Sequence, residues 1–325
     1  MKRLVIGCVL LVAGLSMAFA GGAGARDGAF PSRDIRVLIP NAAGGGNDLT
    51  VRALIPGLER ALGVSVVPVN QPAGRGAVAF HEAATARTDG YTLYFNSKTV
   101  LLMRYSGIEE AQIERLMPVA QVAEDVSIFS VRADSPHRTI NDLINHIRTS
   151  PTRVRAGNSG IGALWHISQI MFGETIGSHN ILSVAYAGST PMLTALVAGE
   201  IEFATTGPEA ITFFDAGTVR PLCVVFPTRY PSLPNIPTLY EETGLNYNFP
   251  VWRGFFTAAG TDPAVVATIA DGLRSAVGSE EFQRFTAIGM IASFKGPGEF
   301  RQVVDNQVRE LADMMPRIQA IIQAN

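Results

Sequence analysis

Cysteine is almost missing from this sequence of 325 residues: there are two, Cys8 and Cys223. Cys8 lies in an N-terminal apolar run, so no intrachain disulfide is possible once that run is removed. Cys223, inside Leu222-Cys223-Val224-Val225-Phe226 with no basic neighbour, reads as a small core hydrophobe rather than a nucleophile. An excess of one charge is missing as well. Lys and Arg number 26 against 28 Asp and Glu, with no basic run, which excludes a nucleic-acid surface. No H-E-x-x-H, C-x-x-C or Asp-rich calcium loop occurs, so metal catalysis has no motif behind it. The 32 glycines and 19 prolines keep no fixed period, which excludes collagen-like and solenoid repeats and implies many turns between short elements. What is present, 47% hydrophobic residues, is material for about two globular domains.

A membrane-spanning run is also lacking. Residues 4–19 are apolar and uncharged, but they fall short of the roughly 20 residues a bilayer needs and contain Gly7 and Gly14. Preceded by Lys2-Arg3 and closed by Ala18-Phe19-Ala20, the stretch reads as a secretory signal over residues 1–20, with cleavage near Ala20. Residues 21–29 follow as a flexible Gly/Ala-rich leader. Cys8 comes too early in the apolar run to suit a lipoprotein signal. Without residues 1–20 the chain keeps 24 basic and 28 acidic residues and is mildly acidic.

From residue 35 onward short β-rich runs alternate with helical patterns. Strands are expected at 35–39, 64–69, 92–95, 119–122, 126–131, 154–156, 182–185, 201–205 and 222–226. Apolar strands alternating with amphipathic helices call for mostly parallel sheets covered on both faces, and this many strands exceed one small sheet. The expectation is an α/β protein of two lobes with a cleft between them. The chain crosses from one lobe to the other at 119–131 and returns through the proline-rich run 227–237, where helix is forbidden. Lobe 1 is then residues 30–124 and 227–325, and lobe 2 is residues 125–226. Near the C-terminus Val304, Val308, Leu311, Met315, Ile318 and Ile322 recur at steps of four and three, an amphipathic helix expected to pack on lobe 1, with Pro316 ruling out a long coiled coil.

Two strand-turn-helix units carry the chemistry. Residues 35–39 run into Pro40-Asn41-Ala42-Ala43-Gly44-Gly45-Gly46-Asn47-Asp48 and a helix that contains Pro56, which should kink it. Residues 154–156 run into Gly157-Asn158-Ser159-Gly160-Ile161-Gly162 and a second helix. Glycines allow close backbone approach, and the first amides of the following helix point outward with the positive end of its dipole, so each turn can hold an anion without a basic side chain. Each turn is equally readable as a tight connection, and Asp48 as a helix cap would satisfy some amides itself while leaving those of Gly44 to Gly46 free. Neither turn is a nucleotide loop. Gly74-Arg75-Gly76-Ala77-Val78-Ala79 fits a loose G-x-G-x-x-A, but four residues separate it from its strand. Gly157-Asn158-Ser159-Gly160-Ile161 approaches a nucleophile elbow but ends on Ile161 where glycine is required. A serine hydrolase acting through Ser159 stays open as an alternative, without a base marked among the five histidines. His166, near the start of the second helix, suits a neutral polar contact better than acid-base work.

Seven stretches in order resemble the extracytoplasmic solute receptors of tripartite tricarboxylate transporters, the Bug family. They are Phe30-Pro31-Ser32-Arg33-Asp34-Ile35-Arg36-Val37-Leu38-Ile39-Pro40, Ala43-Gly44-Gly45-Gly46-Asn47-Asp48, Asn70-Gln71-Pro72-Ala73-Gly74-Arg75-Gly76, Thr88-Asp89-Gly90-Tyr91-Thr92-Leu93, Tyr186-Ala187-Gly188-Ser189-Thr190-Pro191, Leu233-Pro234-Asn235-Ile236-Pro237-Thr238 and Ala258-Ala259-Gly260-Thr261-Asp262-Pro263. The resemblance implies a two-lobed periplasmic binding protein of type II-like fold. Such a receptor captures a small carboxylate and delivers it to large and small membrane subunits, as a monomer with no cofactor, metal or catalysis. The cleft residues it implies are Asn41, Ala42, Ala43, Gly44, Gly45, Asn47 and Asp48 in the first turn, Asn96 and Ser97 after the third strand, Asn158, Ser159, Gly160 and Gly162 in the second turn, and Tyr186, Gly188 and Ser189. His166 and Thr206 complete the candidate set. Where the family has Phe-Pro this chain has Asn41-Ala42, its second turn departs from Gly-Ser-Ala-Gly, and Thr205-Thr206-Gly207 stands where an Asp is common. Arg253, beside Trp252, reads either as a partner for a distal carboxylate of the ligand or as an exposed charge on the cleft rim, the rim being preferred. A ligand sensor for a membrane signalling partner is the third reading.

Overall fold

The computed structural model describes residues 30–324 apart from 159, 161, 187, 248 and 288; the expected signal and leader, and Ser159, lie outside the described residues. The chain opens with β1 (Ile35–Ile39), α1 (Gly46–Leu62), β2 (Val66–Asn70), α2 (Ala77–Ala84), β3 (Thr92–Ser97) and the single turn α3 (Thr99–Leu102). β4 (Leu116–Asp125) leads directly into β5 (Ser127–Arg132), then α4 (Ile140–Thr149), β6 (Val154–Asn158), α5 (Leu164–Thr175), β7 (Ile181–Ala185), α6 (Ser189–Ala198), β8 (Phe203–Thr206), α7 (Ile211–Asp215), β9 (Val219–Val225) and α8 (Leu239–Thr243). β10 (Val251–Ala258), α9 (Pro263–Val277), α10 (Glu280–Thr286), β11 (Ile291–Lys295) and α11 (Pro297–Ala324) complete it.

The strands form two sheets, of order β11-β4-β10-β3-β1-β2 and β7-β6-β8-β5-β9. Both are mixed rather than mostly parallel. β1 pairs in parallel with β2 and β3, and β6 with β7 and β8, as the strand-helix alternation requires. β4 and β5 are one continuous ribbon that passes between the sheets, and their partners β10, β11, β8 and β9 all run antiparallel to them. β10 and β11 have no counterpart among the expected strands. β10 is buried along almost its whole length and so lacks the alternation that marks a strand in sequence.

Helices cover both faces of each sheet. On the first, Ile35, Val37 and Phe95 face Leu54 and Leu58 of α1 and Ile269 and Leu273 of α9, while Leu38, Tyr94 and Phe256 face Phe80 of α2 and Phe300 of α11. On the second, Phe129 and Phe203 face Phe172 of α5, and Ala204 faces Met192 and Leu196 of α6. α1 runs unbroken through Pro56, and the next residue, Gly57, lets α9 come close: a Cβ there would lie 2.8 Å from the Ala276 Cα.

The return crossing differs from the expected one. Val224 donates its amide to the Pro237 carbonyl at 3.0 Å and bridges Thr238, and Asn141 of α4 donates to the Glu242 carbonyl at 2.9 Å. The run 227–237 and α8 therefore belong with the second sheet, and the chain re-enters the first sheet after Gly244. α11 also exceeds its expected role. Phe300 and Gln307 bind Trp252 on the first sheet, whereas the second half lies on α5, where Met314 and Ile318 share a groove with Met171 and Thr175. The apolar stripe is thus divided between the two lobes.

Candidate functional site

The first turn leaves β1 at Pro40, which presses on Gly76: a Cβ at Gly76 would lie 2.6 Å from the Pro40 Cβ. Gly45, not Asp48, caps α1. Asp48 sits inside the first helical turn, accepting the Gly44 amide at 2.8 Å and Arg52 Nε at 3.0 and 2.9 Å. Burial pushes its carboxyl up, but the bonds from Arg52 and Gly44 outweigh this and leave it below the usual carboxylate range. The Gly45 amide donates to the Ala42 carbonyl at 3.3 Å. The expected free amides of Gly44 and Gly45 are therefore occupied, because the loop closes on itself and on Asp48. Those of Ala42, Ala43, Gly46, Asn47 and Asp48 have no acceptor among the described residues.

Around this turn lies a chain of amide side chains. Asn47 Nδ2 donates to Asn41 Oδ1 at 2.6 Å and to Asn96 Oδ1 at 3.2 Å, and Asn96 Nδ2 donates to the Tyr94 hydroxyl at 2.7 Å. The Ser97 amide also binds Asn96 Oδ1, at 2.8 Å. Arg253 is not a rim charge. Its Nη1 donates to Asn47 Oδ1 at 2.7 Å, its Nε and Nη2 donate to Asp125 Oδ2 at 3.0 and 2.7 Å, and its side chain is only 16% exposed. The guanidinium lies on Gly46, where a Cβ would meet both terminal nitrogens at 3.1 Å. Burial pushes the Asp125 carboxyl up while Arg253 pulls it down, and burial wins. Asp125 Oδ1 and the nearby Tyr230 hydroxyl are buried without partners.

The second turn follows β6. Asn158 is fully buried, accepts the Gly160 amide on Oδ1 at 3.0 Å, and receives the Tyr186 amide on its carbonyl at 3.0 Å. Gly162 donates its amide to His166 Nδ1 at 2.9 Å, so this nitrogen is unprotonated, and burial pushes the imidazole down to about 4. The first amides of α5, on Leu164, Trp165 and His166, have no acceptor among the described residues. Asn158 Nδ2 and the hydroxyls of Thr205 and Thr206 are buried and unpartnered. Gly188, at φ +138°, precedes Ser189, whose hydroxyl donates to Glu209 Oε1 at 2.6 Å, and the Gly207 amide donates to the same oxygen at 3.1 Å.

Two contacts bring the arms together. Arg75 Nη2 donates to the Ser106 carbonyl at 2.7 Å, and Ser106 Oγ in turn faces Gly162 across the lobes, 3.4 Å from where a Cβ would stand. On the other side Glu209 is near enough to Asp125 for its charge to raise that carboxyl. The second turn thus faces the first lobe at Ser106, and the first turn is tied through Asn47 and Arg253 to Asp125, where the chain passes between the sheets. Asp125 and Tyr230 are missing from the expected residues, and Arg253 was expected there only as a rim charge or ligand partner, not as the buried partner of Asp125. For Arg253 the signal was a single charge inside an apolar strand, Val251-Trp252-Arg253-Gly254-Phe255-Phe256, where it must find a buried partner.

His166 gives a test of this geometry. The unfolded imidazole takes up a proton near 6.5 that the fold refuses until about 4, so stability is complete above the first value and falls as pH descends toward the second. His166→Asn, which keeps an acceptor for Gly162, is expected to flatten that acid-side fall in urea midpoints measured from pH 7 to 5. An unchanged slope would place the effect elsewhere.

Among the described residues no cluster of three His, Cys, Asp or Glu side chains is arranged to hold a metal ion, and no helix is long and apolar enough to cross a membrane. The chain is 32% identical over 265 residues to a UPF0065 protein of Bordetella pertussis, covering 79% of this chain and 80% of that one. A TctC solute binding protein from Polaromonas superposes with a TM-score of 0.77 at 23% identity, covering 91% of this chain and all of that one. An R. palustris protein solved with adipate superposes with a TM-score of 0.74 at 24% identity, over 91% of this chain and 99% of its own. These likenesses fix the fold as that of a two-lobed periplasmic binding protein. The model of the tripartite tricarboxylate transporter family receptor matches residues 50–324. The chain therefore belongs to that family, whose members are solute-binding receptors and not an enzyme family.

Proposed function

We propose that this protein is an exported periplasmic receptor that captures a small carboxylate between its lobes, without catalysis, and delivers it to the large and small membrane subunits of a tripartite transporter. What supports the reading is the pair of open helix N-termini, α1 on the first sheet and α5 on the second, each following a glycine turn at the end of a strand. Their unpaired amides supply donors and the positive ends of two helix dipoles, so a carboxylate is held without consuming Arg253, which Asp125 and Asn47 already engage. Asn158 Nδ2 and the Thr206 hydroxyl, buried without partners, are further groups that a bound acid would satisfy. The lobes so understood are the first sheet with α1–α3 and α9–α10, and the second sheet with α4–α8. Bound adipate in the R. palustris neighbour is of the same chemical class.

Thermal-shift titration with small carboxylates and their neutral amides tests the reading. At a hundredfold excess over Kd an acid is expected to stabilise the fold by about 2.7 kcal/mol, and its amide to leave Tm unchanged. Equal stabilisation by both would remove the anion site.

A further inference from the structure

Helix α6 starts at Ser189, directly after Gly188, with no side chain capping it. The amides of Ser189 and Thr190 have no acceptor among the described residues, and Pro191 has no amide hydrogen to offer. On the second sheet this is another helix start that favours a negative charge. Here the chain supplies the charge itself. Glu209 Oε1 accepts the Ser189 hydroxyl at 2.6 Å and the Gly207 amide at 3.1 Å. Its Oε2 lies against Gly207, where a Cβ would stand 2.6 Å from that oxygen and 2.7 Å from Cζ2 of Trp165, in the first turn of α5. The carboxylate therefore rests between the Ser189 side chain of α6 and the Trp165 ring of α5. It is bonded to the residue that follows Thr206, whose hydroxyl is buried without a partner. Ser189, implied by its sequence as a ligand residue, spends its hydroxyl on Glu209.

The neighbouring carboxylates are neutralised and this one is not. Asp48 is paired with Arg52 at 2.9 Å and Asp125 with Arg253 at 2.7 Å. Glu209 has no Lys, Arg or His partner among the described residues. Its charge is felt at Asp125, where the chain passes between the sheets. A paired carboxylate presents little field at a distance, whereas an unpaired one opposes any anion that approaches it. Glu209 is exposed to solvent, so that opposition is screened by salt.

We infer that Glu209 is a resident anion that limits the affinity of this receptor for acids, holding the Ser189 hydroxyl and opposing by its unpaired charge a carboxylate bound at the start of α5. The inference rests on the proposed carboxylate site. A purely structural role, as the cap of its own turn through the Gly207 amide, needs only an acceptor oxygen. Glutamine keeps that oxygen and removes the charge, so Glu209→Gln separates the two roles.

The test is calorimetric titration of the full-length protein with acetate, succinate, adipate and benzoate, at salt concentrations from about 10 mM to about 1 M, over which the screening length falls from about 30 to about 3 Å. At low salt Glu209→Gln is expected to bind at least one of these acids fivefold or more tighter than the wild type, with the gain falling below twofold at high salt. Asp271→Asn, which removes an exposed carboxylate from α9, is expected to leave affinity unchanged and so controls for net charge. Glu209→Ala, which removes the acceptor as well, is expected to show the same salt-dependent gain. Unchanged or weaker acid binding in Glu209→Gln and Glu209→Ala, a gain that ignores salt, or an equal gain in Asp271→Asn overturns the inference and leaves the proposed function standing. Failure of the wild type and both Glu209 variants to bind any of the four acids overturns both.

Discussion

Arg253→Met is expected to lower the stability of the fold by about 3–5 kcal/mol, because it strands the Asp125 carboxylate, 3% exposed, with no cation to answer it. The same substitution takes a donor from Asn47 Oδ1 and frees the chain of amides from Asn41 to Asn96, so affinity for any acid held at the α1 N-terminus should fall with it. Urea unfolding checks the first effect. The double variant Asp125→Asn/Arg253→Met should recover most of the loss, since the penalty belongs to a bare buried charge rather than to a missing attraction. The pH dependence has a definite sign. The folded carboxyl of Asp125 already lies above its ordinary range, and loss of Arg253 raises it further. Above that raised value the fold must hold a charge that the unfolded chain solvates, so the deficit is greatest near neutrality and narrows as acid neutralises the group. A deficit that stays constant on acidification would show that Arg253 contributes through packing instead.

The second large effect concerns the anchor of the C-terminal helix. Phe300 is fully buried, with its ring 5.0 Å from that of Trp252 and 5.3 Å from that of Phe256. Phe300→Ala is expected to cost about 3–5 kcal/mol, through lost burial and the void left between α11 and β10. The opposite error at the same place should also destabilise. A Cβ on Gly254 would stand 2.4 Å from Phe300 Cζ and 2.9 Å from the Ala120 carbonyl oxygen, so Gly254→Ala overpacks the contact and is expected to cost about 1–3 kcal/mol. Guanidinium unfolding of both variants checks this. A wild-type midpoint for Phe300→Ala would mean that the helix is held by its other contacts alone.

Much of the layout was legible in the residues. β1 falls on the expected residues 35–39, and both glycine turns lead from a strand into a helix, because periodicity and glycine placement are local signals. What was illegible is what depends on partners distant in sequence. The antiparallel β10 and β11 are defined by where β4 passes, not by their own pattern. The proline run 227–237 is free of helix as expected, but it folds into turns rather than an extended segment, and the bond from the Val224 amide to its Pro237 carbonyl places it beside the second sheet. In the candidate site the loop residues could be read from glycine and asparagine content. The pairing of Arg253 with Asp125 spans 128 positions and shows itself only when the strands are side by side. Closure of the first turn on Asp48 is a local bond whose competition with a ligand no composition reveals.

The helix that ends the chain has a mechanical meaning. At 28 residues it is a rod of about 42 Å. It is fastened at one end to β10 of the first sheet and at the other to α5 of the second. Pro316 removes one rung of its hydrogen-bond ladder, the one that would serve the Ala312 carbonyl, within the half that lies on α5. Rotation of one lobe on the other must flex this rod or shear it from its seat. The helix is therefore a brace between the two sheets, stiffest along its first half and softest where Pro316 interrupts the ladder.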